Sequence, residues 1–168
     1  MKTITINKVT GADLPSIAEL ASVIWREHYT PIIGFEQVEY MLEKYQSVQA
    51  MAQQIAEGVS YFTILLDTSL VGYLSFYPKN KVLFLSKIYI SSQQRGRGLG
   101  RYAIAFVAQQ AKLAGLDKVR LTVNKYNTDS IAAYQNMGFK TVDEVVVDIG
   151  AGFVMDDYVM EFFVDNCE

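Results

Sequence analysis

The sequence is nearly free of cysteine and contains only three prolines among its 168 residues. Its one cysteine, Cys167, stands beside the C-terminus, so the chain can form no internal disulfide and no zinc site with several thiolate ligands. This composition suits a reducing compartment, and we expect a cytoplasmic protein. Because few prolines and no low-complexity segments are present, no linker is obvious, and we predict a single domain over residues 1–168.

The sequence also lacks a long apolar run and a surplus of basic residues. No apolar stretch approaches the ~18 residues that a membrane span requires, so we expect a soluble protein with no membrane partner. The 15 Lys and Arg and 18 Asp and Glu residues give a net charge of −3. This charge disfavours nucleic acid as the main partner, because such binding depends on clustered positive charge. The apolar fraction of 51% is typical of a folded globular protein.

The N-terminal third has the apolar spacing of one short strand followed by three helices. Asp13 has the features of an N-cap, with Pro15 in the first turn of the first helix. We predict that this helix ends in a loop around Pro31 and Gly34. A second amphipathic helix is predicted over residues 35–45, and a third follows it.

Strands dominate the rest of the chain. Three apolar, aromatic-rich runs with short connections are typical of an antiparallel meander, namely YFTILL, LVGYLSFY and VLFLSKIYI. After them we predict a helix, a strand, a second helix and two final strands. The whole order predicts an α/β fold, in which a mixed, mostly antiparallel central sheet carries helices on both faces.

The segment QQRGRGLG, residues 93–100, lies between the third run of the meander and a predicted helix. A glycine-rich turn that opens a helix is typical of an anion site, since the first N–H groups of a helix have no internal partner. Its spacing and context are not those of a dinucleotide-binding turn or of a P-loop. Arg95 and Arg97 add positive charge to an acidic chain, which favours a ligand with several phosphates. A plain turn is the structural alternative.

Two motifs of the sequence resemble the GNAT N-acetyltransferase superfamily. Arg95, Gly98 and Gly100 stand in the positions of its acetyl-coenzyme A signature, [QR]-x-x-G-x-[GA]. The family's second pattern, N-x-x-[AS]-x-x-x-Y-x-x-x-G-F, is matched by Asn127, Ser130, Tyr134, Gly138 and Phe139. The resemblance covers about residues 3–164. It implies the GNAT fold, acetyl-coenzyme A as co-substrate and no metal.

The resemblance also implies which residues contact the coenzyme. In the family, backbone N–H groups of the glycine loop bind the pyrophosphate, and the pantetheine arm pairs with the strand before the loop, here residues 87–90. Glycines in the loop would keep Cβ atoms away from the pyrophosphate. The coenzyme-binding residues implied are Ile88, Tyr89, Ile90, Gln94, Arg95, Gly96, Arg97, Gly98, Leu99, Gly100 and Asn127. For Asn127, a role as N-cap of the following helix is an equal alternative.

The resemblance gives Tyr134 the role of general acid, which protonates the departing thiolate of the coenzyme. A phenol with a pKa near 10 is protonated at neutral pH and suits that task. The backbone N–H of Ile88 or Tyr89 would stabilise the oxyanion. Some family members carry a glutamate on this strand, but VLFLSKIYI has no carboxylate, so we expect a relay through water to a more remote base. His28 and Asp156 are candidates, although each also suits a structural role.

The acceptor is open at this stage. Glu36, Glu39 and Glu43 lie along one side of the second predicted helix and could attract a cationic amine, or simply form its solvated face. We expect a small primary amine, since the chain loosely resembles bacterial polyamine acetyltransferases in length and acidity. Amino acids, aminoglycosides and protein amines remain alternatives, as do a non-catalytic coenzyme A sensor and a purely structural domain. The final strand, YVMEFFV, could form a homodimer interface.

Overall fold

A computed structural model describes residues 2–166 of the chain, without the side chain of Asn166. Cys167, on which the disulfide prediction rests, lies outside these residues. The predicted order of helices and strands is confirmed. The helices are α1 (Leu14–Ile33), α2 (Phe35–Tyr45), α3 (Val48–Ala56), α4 (Leu99–Leu113) and α5 (Thr128–Asn136). The strands are β1 (Ile4–Lys8), β2 (Ser60–Leu66), β3 (Ser69–Lys79), β4 (Val82–Ile90), β5 (Lys118–Asn124), β6 (Lys140–Gly150) and β7 (Phe153–Phe163).

The strands form a seven-stranded sheet in the hydrogen-bonded order β1-β2-β3-β4-β5-β7-β6. The β1–β2, β2–β3, β5–β7 and β6–β7 pairs are antiparallel. β4 and β5 are parallel and pair through Val82–Lys118, Leu83–Val119 and Phe84–Arg120. This mixed, mostly antiparallel sheet flanked by helices confirms the predicted α/β class.

The internal contacts of the chain divide it into two compact units. Unit 1 comprises Met1–Tyr77 and Lys87–Ala103, and unit 2 comprises Pro78–Ser86 and Ile104–Glu168. Unit 1 therefore holds α1 to α3, β1, β2, most of β3, the end of β4, the glycine loop and the start of α4. Unit 2 holds the end of β3, the rest of β4 and α4, β5 to β7 and α5. The single domain expected over the whole chain stays a prediction.

One face of α1 packs into the core of unit 1, together with residues of β2 and β3. The buried residues of α1 follow the helical repeat and are Leu14, Ile17, Ala21, Ile24 and Trp25. α1 packs against α2 and α3 through this part of the unit. Ser47 caps α3, since its Oγ accepts a hydrogen bond from the backbone N of Ala50 at 3.1 Å.

The predictions for both ends of α1 were wrong in part. Asp13 precedes the helix, but its side chain does not cap it: Oδ2 accepts from the backbone N of Thr10 at 2.8 Å and so closes the capping box of a preceding 3₁₀ turn. The loop predicted around Pro31 is absent, because α1 continues through Pro31 and ends at Gly34, which has φ +88°. Pro31 lies in the last helical turn, where the missing N–H affects only one intrahelical hydrogen bond.

The core of unit 2 is built by β5 and β7. Val119, Leu121 and Val123 alternate along β5 and are buried, and Phe162 and Met160 lie opposite the first two of them on β7. Residues directly opposite each other in an antiparallel pair share one face of the sheet. The other face of the same two strands carries Thr122, Asn124 and their β7 partners.

Candidate active site

The glycine loop of unit 1 connects β4 to α4 through two residues with left-handed backbone. Gly96 has φ +80° and Gly98 has φ +78°, a region that side chains strongly disfavour. Gly100 lies in the first turn of α4 and has no positive φ. The backbone conformation therefore requires glycine at positions 96 and 98. At Gly100 the backbone conformation does not require it.

The loop has the properties of an anion site. No atom lies within 4 Å of where a Cβ would stand at Gly96 or Gly98, so the backbone faces open space. α4 begins at Leu99, and its first N–H groups have no partner within the helix. Arg95 and Arg97 are exposed beside it, and Arg95 makes only a long contact of 3.5 Å to the carbonyl of Ile90. Gln94 Oε1 is buried and has no hydrogen-bond partner among residues 2–166.

The end of β4 brings its backbone unusually close to β3. A Cβ added to Gly72 of β3 would stand 2.5 Å from the carbonyl oxygen of Tyr89 and 3.3 Å from Cα of Ile90. Just beyond β4, the backbone N of Ser91 donates to the carbonyl of Val71 at 2.8 Å. Glycine at position 72 therefore lets β3 support the strand segment that the pantetheine arm is expected to contact.

Tyr89 belongs to an aromatic cluster with α1 and β3. Its ring centroid lies 5.5 Å from Trp25 and 5.3 Å from Tyr73, and Tyr29 stacks on Trp25 at 4.4 Å. The Tyr89 side chain thus has a packing role within unit 1. His28, a predicted base candidate, joins the edge of this cluster with its ring 4.9 Å from Tyr29.

Lys87 of β4 is a buried lysine that sequence reasoning did not single out. Its side chain donates hydrogen bonds to the backbone carbonyl of Tyr45 and, at 3.1 Å, to Gln54 Oε1. Its Nζ also lies 5.2 Å from the centre of the Tyr61 ring. These partners are all uncharged, and burial lowers the pKa of Lys87 to about 7.

Two carboxylates near the site have fixed partners. Glu27 of α1 accepts a hydrogen bond from Ser92 Oγ at 2.9 Å, which ties α1 to the start of the glycine loop. Glu39, predicted to attract an amine, is held by Arg26 through two contacts of 2.8 and 3.0 Å. The hydrogen bond from Arg26 lowers the pKa of Glu39. Glu36 is exposed on α2.

A small cavity of about 330 Å³ lies between α1 and α2. Glu39, Glu43 and Arg26 line it together with Gln46, whose Oε1 accepts from the hydroxyl of Tyr73 at 2.8 Å. Glu39 and Glu43 thus line a cavity that also contains the positive charge of Arg26. The surface of this cavity therefore carries charges of both signs.

Tyr134 lies on α5 of unit 2, in the second motif. Its ring is 5.5 Å from that of Phe139, which packs on Phe162 at 4.5 Å. Gly138 has φ +102° and lets the chain turn back, so that the backbone N of Phe139 bonds to the carbonyl of Tyr134 at 3.0 Å. The glycine and phenylalanine of this motif therefore fix the orientation of the tyrosine.

Asn127 precedes α5 but does not cap it with its side chain. Its carbonyl accepts a hydrogen bond from the backbone N of Ile131 at 3.1 Å, as that of an N-cap residue does, so the N-cap position predicted for Asn127 is confirmed. The residue is 2% exposed, and its side chain makes no N-cap hydrogen bond. Its backbone N donates to the carbonyl of Asn124 at 3.0 Å, which shapes the turn between β5 and α5.

The buried carboxylate of β7 is Asp157, and not its neighbour Asp156. Asp156, a predicted base candidate, forms an ion pair of 3.0 Å with Lys125 and is half-buried. Asp157 is 7% exposed, and burial together with the charge of Asp156 raises its pKa to about 6. Alternation along β7 alone missed it, because alternation separates the two faces of a strand but does not show how far each face is covered. The position of Asn124 at the end of the neighbouring strand was the available signal.

These features define the fold of an acyl-coenzyme A N-acyltransferase: an antiparallel meander, a left-handed glycine loop opening a helix, and a parallel β4–β5 pair. The chain belongs to the acetyltransferase (GNAT) family, whose model matches residues 17–139, more than half of the sequence. It is thus an acetyltransferase, and the enzymes of this family use acetyl-coenzyme A as co-substrate.

Several known proteins are similar to this chain. The spermidine N(1)-acetyltransferase of Thermoplasma acidophilum is 23% identical over 158 residues, which cover 91% of this chain and 96% of the relative. The PaiA N-acetyltransferase of Thermoplasma acidophilum, solved in complex with coenzyme A, matches with a TM-score of 0.83 at 21% identity, over 96% of this chain and 99% of that one. The ribosomal-protein-alanine N-acetyltransferase of Brucella melitensis has a TM-score of 0.70 at 22% identity, over 95% and 99%.

Residues 2–166 contain neither a cluster of metal ligands nor a helix that could span a membrane. No three His, Cys, Asp or Glu side chains in this part are grouped so that they could hold a metal ion. No helix in the same part is long and apolar enough to cross a membrane.

Proposed function

We propose that the protein transfers the acetyl group of acetyl-coenzyme A to a primary amine of a small molecule, such as a polyamine. The observation that carries the proposal is the loop with left-handed Gly96 and Gly98, which opens α4 toward free space beside two arginines. A spermidine N(1)-acetyltransferase among the relatives supports a polyamine as acceptor. We also propose that the protein is cytoplasmic, as expected from its cysteine content, and that it forms a homodimer.

The donor is held by charge and by backbone groups. The N–H groups of residues 94–100 bind the pyrophosphate, because oriented backbone donors and a helix start stabilise anions. Arg95 and Arg97 supply positive charge near the phosphates. The backbone of Ile88, Tyr89 and Ile90 pairs with the pantetheine arm as an added strand would, and Asn127 contributes from the turn before α5.

The transfer itself is a direct attack. The neutral amine attacks the thioester carbonyl, whose oxygen accepts a hydrogen bond from the backbone N of Ile88 or Tyr89. As the carbon–sulfur bond breaks, the phenol of Tyr134 gives its proton to the thiolate. After the attack the nitrogen carries one extra proton. It gives this proton to the Tyr134 oxygen and so restores the phenol.

The first test is a panel of amines. We expect thiol release from acetyl-coenzyme A with a polyamine such as spermidine.

The second test is the variant Tyr134→Phe. It should lower kcat by roughly 10²-fold or more, since general acids contribute about that much. The dissociation constant of coenzyme A should stay nearly unchanged, because the ring of Phe keeps the packing against Phe139.

Several results would contradict parts of this proposal. Equal losses in kcat and coenzyme affinity for Tyr134→Phe would argue against the acid role. Turnover with peptide N-termini alone would move the acceptor to proteins. Tight coenzyme binding without turnover on any amine would favour a coenzyme A sensor.

A further inference from the structure

The last residues of β4 are positioned by contacts other than the pairing with β5. In the part of the chain that the structure describes, this pairing covers Val82, Leu83 and Phe84 and ends there. β3 lies along the other edge of β4. Residues 87–90, which include the backbone that we propose contacts the coenzyme, come after this point. Their position therefore depends on β3 and on their own side chains.

Two side chains of this segment connect β4 to the three helices of unit 1. Successive side chains of a strand point to opposite faces, so Lys87 and Tyr89 lie on the same face of β4. Tyr89 packs against Trp25 of α1, with 5.5 Å between the ring centroids. The Nζ of Lys87 donates to the carbonyl of Tyr45, the last residue of α2, and to Gln54 Oε1 of α3 at 3.1 Å. Lys87 is thus the polar anchor of this segment, and Tyr89 is its apolar anchor.

The partners of Lys87 form a buried hydrogen-bond network around Gln54. The Nε2 of Gln54 donates to the same Tyr45 carbonyl at 3.3 Å, and its Oε1 also accepts from the hydroxyl of Tyr61 on β2. Lys87 is 6% exposed, and its Nζ lies 5.2 Å from the centre of the Tyr61 ring. Because water does not replace a lost donor at a buried site, the network favours one conformation of the Lys87 side chain.

The backbone N–H of Ile88 lies next to this anchor along the chain. A peptide unit is planar and runs from one Cα to the next, so the Ile88 N–H lies in the plane that starts at Cα of Lys87. On the far side of Ile88, the carbonyl of Tyr89 closely approaches Gly72 of β3, where an added Cβ would stand 2.5 Å from it. The peptide unit between Lys87 and Ile88 is therefore held between the Lys87 network and β3.

We propose that Lys87 is a positioning residue for acetyl transfer, because its side chain fixes the backbone N–H groups of Ile88 and Tyr89 that face the thioester oxygen. This inference rests on the proposed function and gives a role to a side chain outside the two sequence motifs. Lys87 acts through the backbone and contacts no reacting atom. Donors to an oxyanion must stand within hydrogen-bond distance of it, and a misplacement of about 1 Å can cost about 10²-fold in rate.

The first test compares Lys87→Met and Lys87→Gln, two variants of nearly equal size, in the full chain with spermidine as the acceptor. Lys87→Met removes the donor and should lower kcat about tenfold or more, with the dissociation constant of coenzyme A nearly unchanged. Lys87→Gln keeps an N–H donor and should recover part of kcat. Lys79→Met makes the same change at an exposed position of β3 and should keep the wild-type rate.

The second test measures the hydrogen bond to the thioester oxygen directly. Infrared difference spectra of bound acetyl-coenzyme A, isotope-labelled at the thioester carbonyl, report this bond, because a hydrogen bond lowers the stretching frequency of a carbonyl. Lys87→Met should shift the frequency toward that of the free thioester. Gln54→Met removes one acceptor of Lys87 without changing β4 and should shift it in the same direction. The double variant should lose about as much rate as Lys87→Met alone, as members of one network do.

The remaining outcomes separate this inference from the proposed function. A wild-type rate and carbonyl frequency in Lys87→Met would overturn the positioning role and leave acetyl transfer to amines standing. A lower rate with an unshifted frequency would make Lys87 a structural residue of unit 1. If Lys87→Met does not fold, an unshifted frequency in Gln54→Met would overturn the inference in its place. No turnover by the wild type on any amine would overturn the proposed function and this inference with it.

Discussion

Lys87 and Asp157 are both buried, yet burial moves their pKa values in opposite directions. Burial disfavours the charged form of any group, so it lowers the pKa of Lys87 to about 7 and raises that of Asp157 to about 6. Near neutral pH a large part of Lys87 is therefore the neutral amine, whereas Asp157 is mostly ionised. A neutral amine has two N–H donors, and the Tyr45 carbonyl and Gln54 Oε1 accept from it.

The stability of the protein should depend on pH through Lys87. Its pKa is lowered from 10.5, so between about pH 7 and 10 the unfolded chain binds a proton that the folded chain does not. The free energy of unfolding then rises with pH, by up to about 1.4 kcal/mol per pH unit from this group. Lys87→Met should lack this contribution, so the wild type gains stability relative to the variant between pH 7.5 and about 9.5. Below pH 7 the difference should be constant.

Denaturant unfolding at several pH values measures this difference. Lys79→Met is a suitable control, because Lys79 is an exposed residue of β3 and its replacement should leave the slope in place. Parallel curves for the wild type and Lys87→Met across this pH range would show that Lys87 stays protonated in the folded state.

The glycine loop and the first turn of α4 should respond differently to added side chains. Gly98→Val forces a β-branched residue into φ +78°, which costs about 1–2 kcal/mol and should displace the N–H groups that we propose bind the pyrophosphate. We expect the affinity for coenzyme A to fall at least about tenfold, the equivalent of 1.4 kcal/mol. Gly100→Ala is the matched control, since it keeps the backbone N–H of position 100 in a helical conformation that alanine also adopts, and its Cβ would meet only Ile90 Cδ1 at 4.0 Å.

Isothermal titration with coenzyme A would compare the two variants. The control should keep its affinity and gain a little stability, because alanine is the better residue within a helix. An unchanged affinity in Gly98→Val would rule out the pyrophosphate assignment of the loop, whatever happens to the melting temperature.

Sequence patterns were sufficient for elements with sharp boundaries. α2 and β4 have their predicted ends, because Gly34 and the flanking turns stop each pattern abruptly. The end of α1 was missed because a helix tolerates Pro31 in its last turn, where a single hydrogen bond is affected. Asp157 was missed because alternation separates the two faces of a strand but does not say which neighbours will cover them.

The sheet order limits how a homodimer could form. β7 lies between β5 and β6, so both of its backbone edges are already hydrogen-bonded. The predicted interface on YVMEFFV would have to use side chains, such as that of exposed Phe163, and could not extend the sheet. β6 is the last strand in that order, and Val146 and Val147 are exposed on it.

The net charge of −3 should influence the two substrates in different ways. An acidic protein attracts a polyamine with several positive charges, and salt screens this attraction, since the Debye length shortens from about 10 Å at 0.1 M to about 3 Å at 1 M ionic strength. With acetyl-coenzyme A kept saturating, we therefore expect KM for spermidine to rise several-fold between low and high salt, while kcat changes little. A monoamine acceptor carries one charge and serves as the control, with a smaller rise in KM. Initial rates across a salt series test this, and a salt-independent KM for spermidine would mean that contacts in the site, and not the charge of the molecule, select the acceptor.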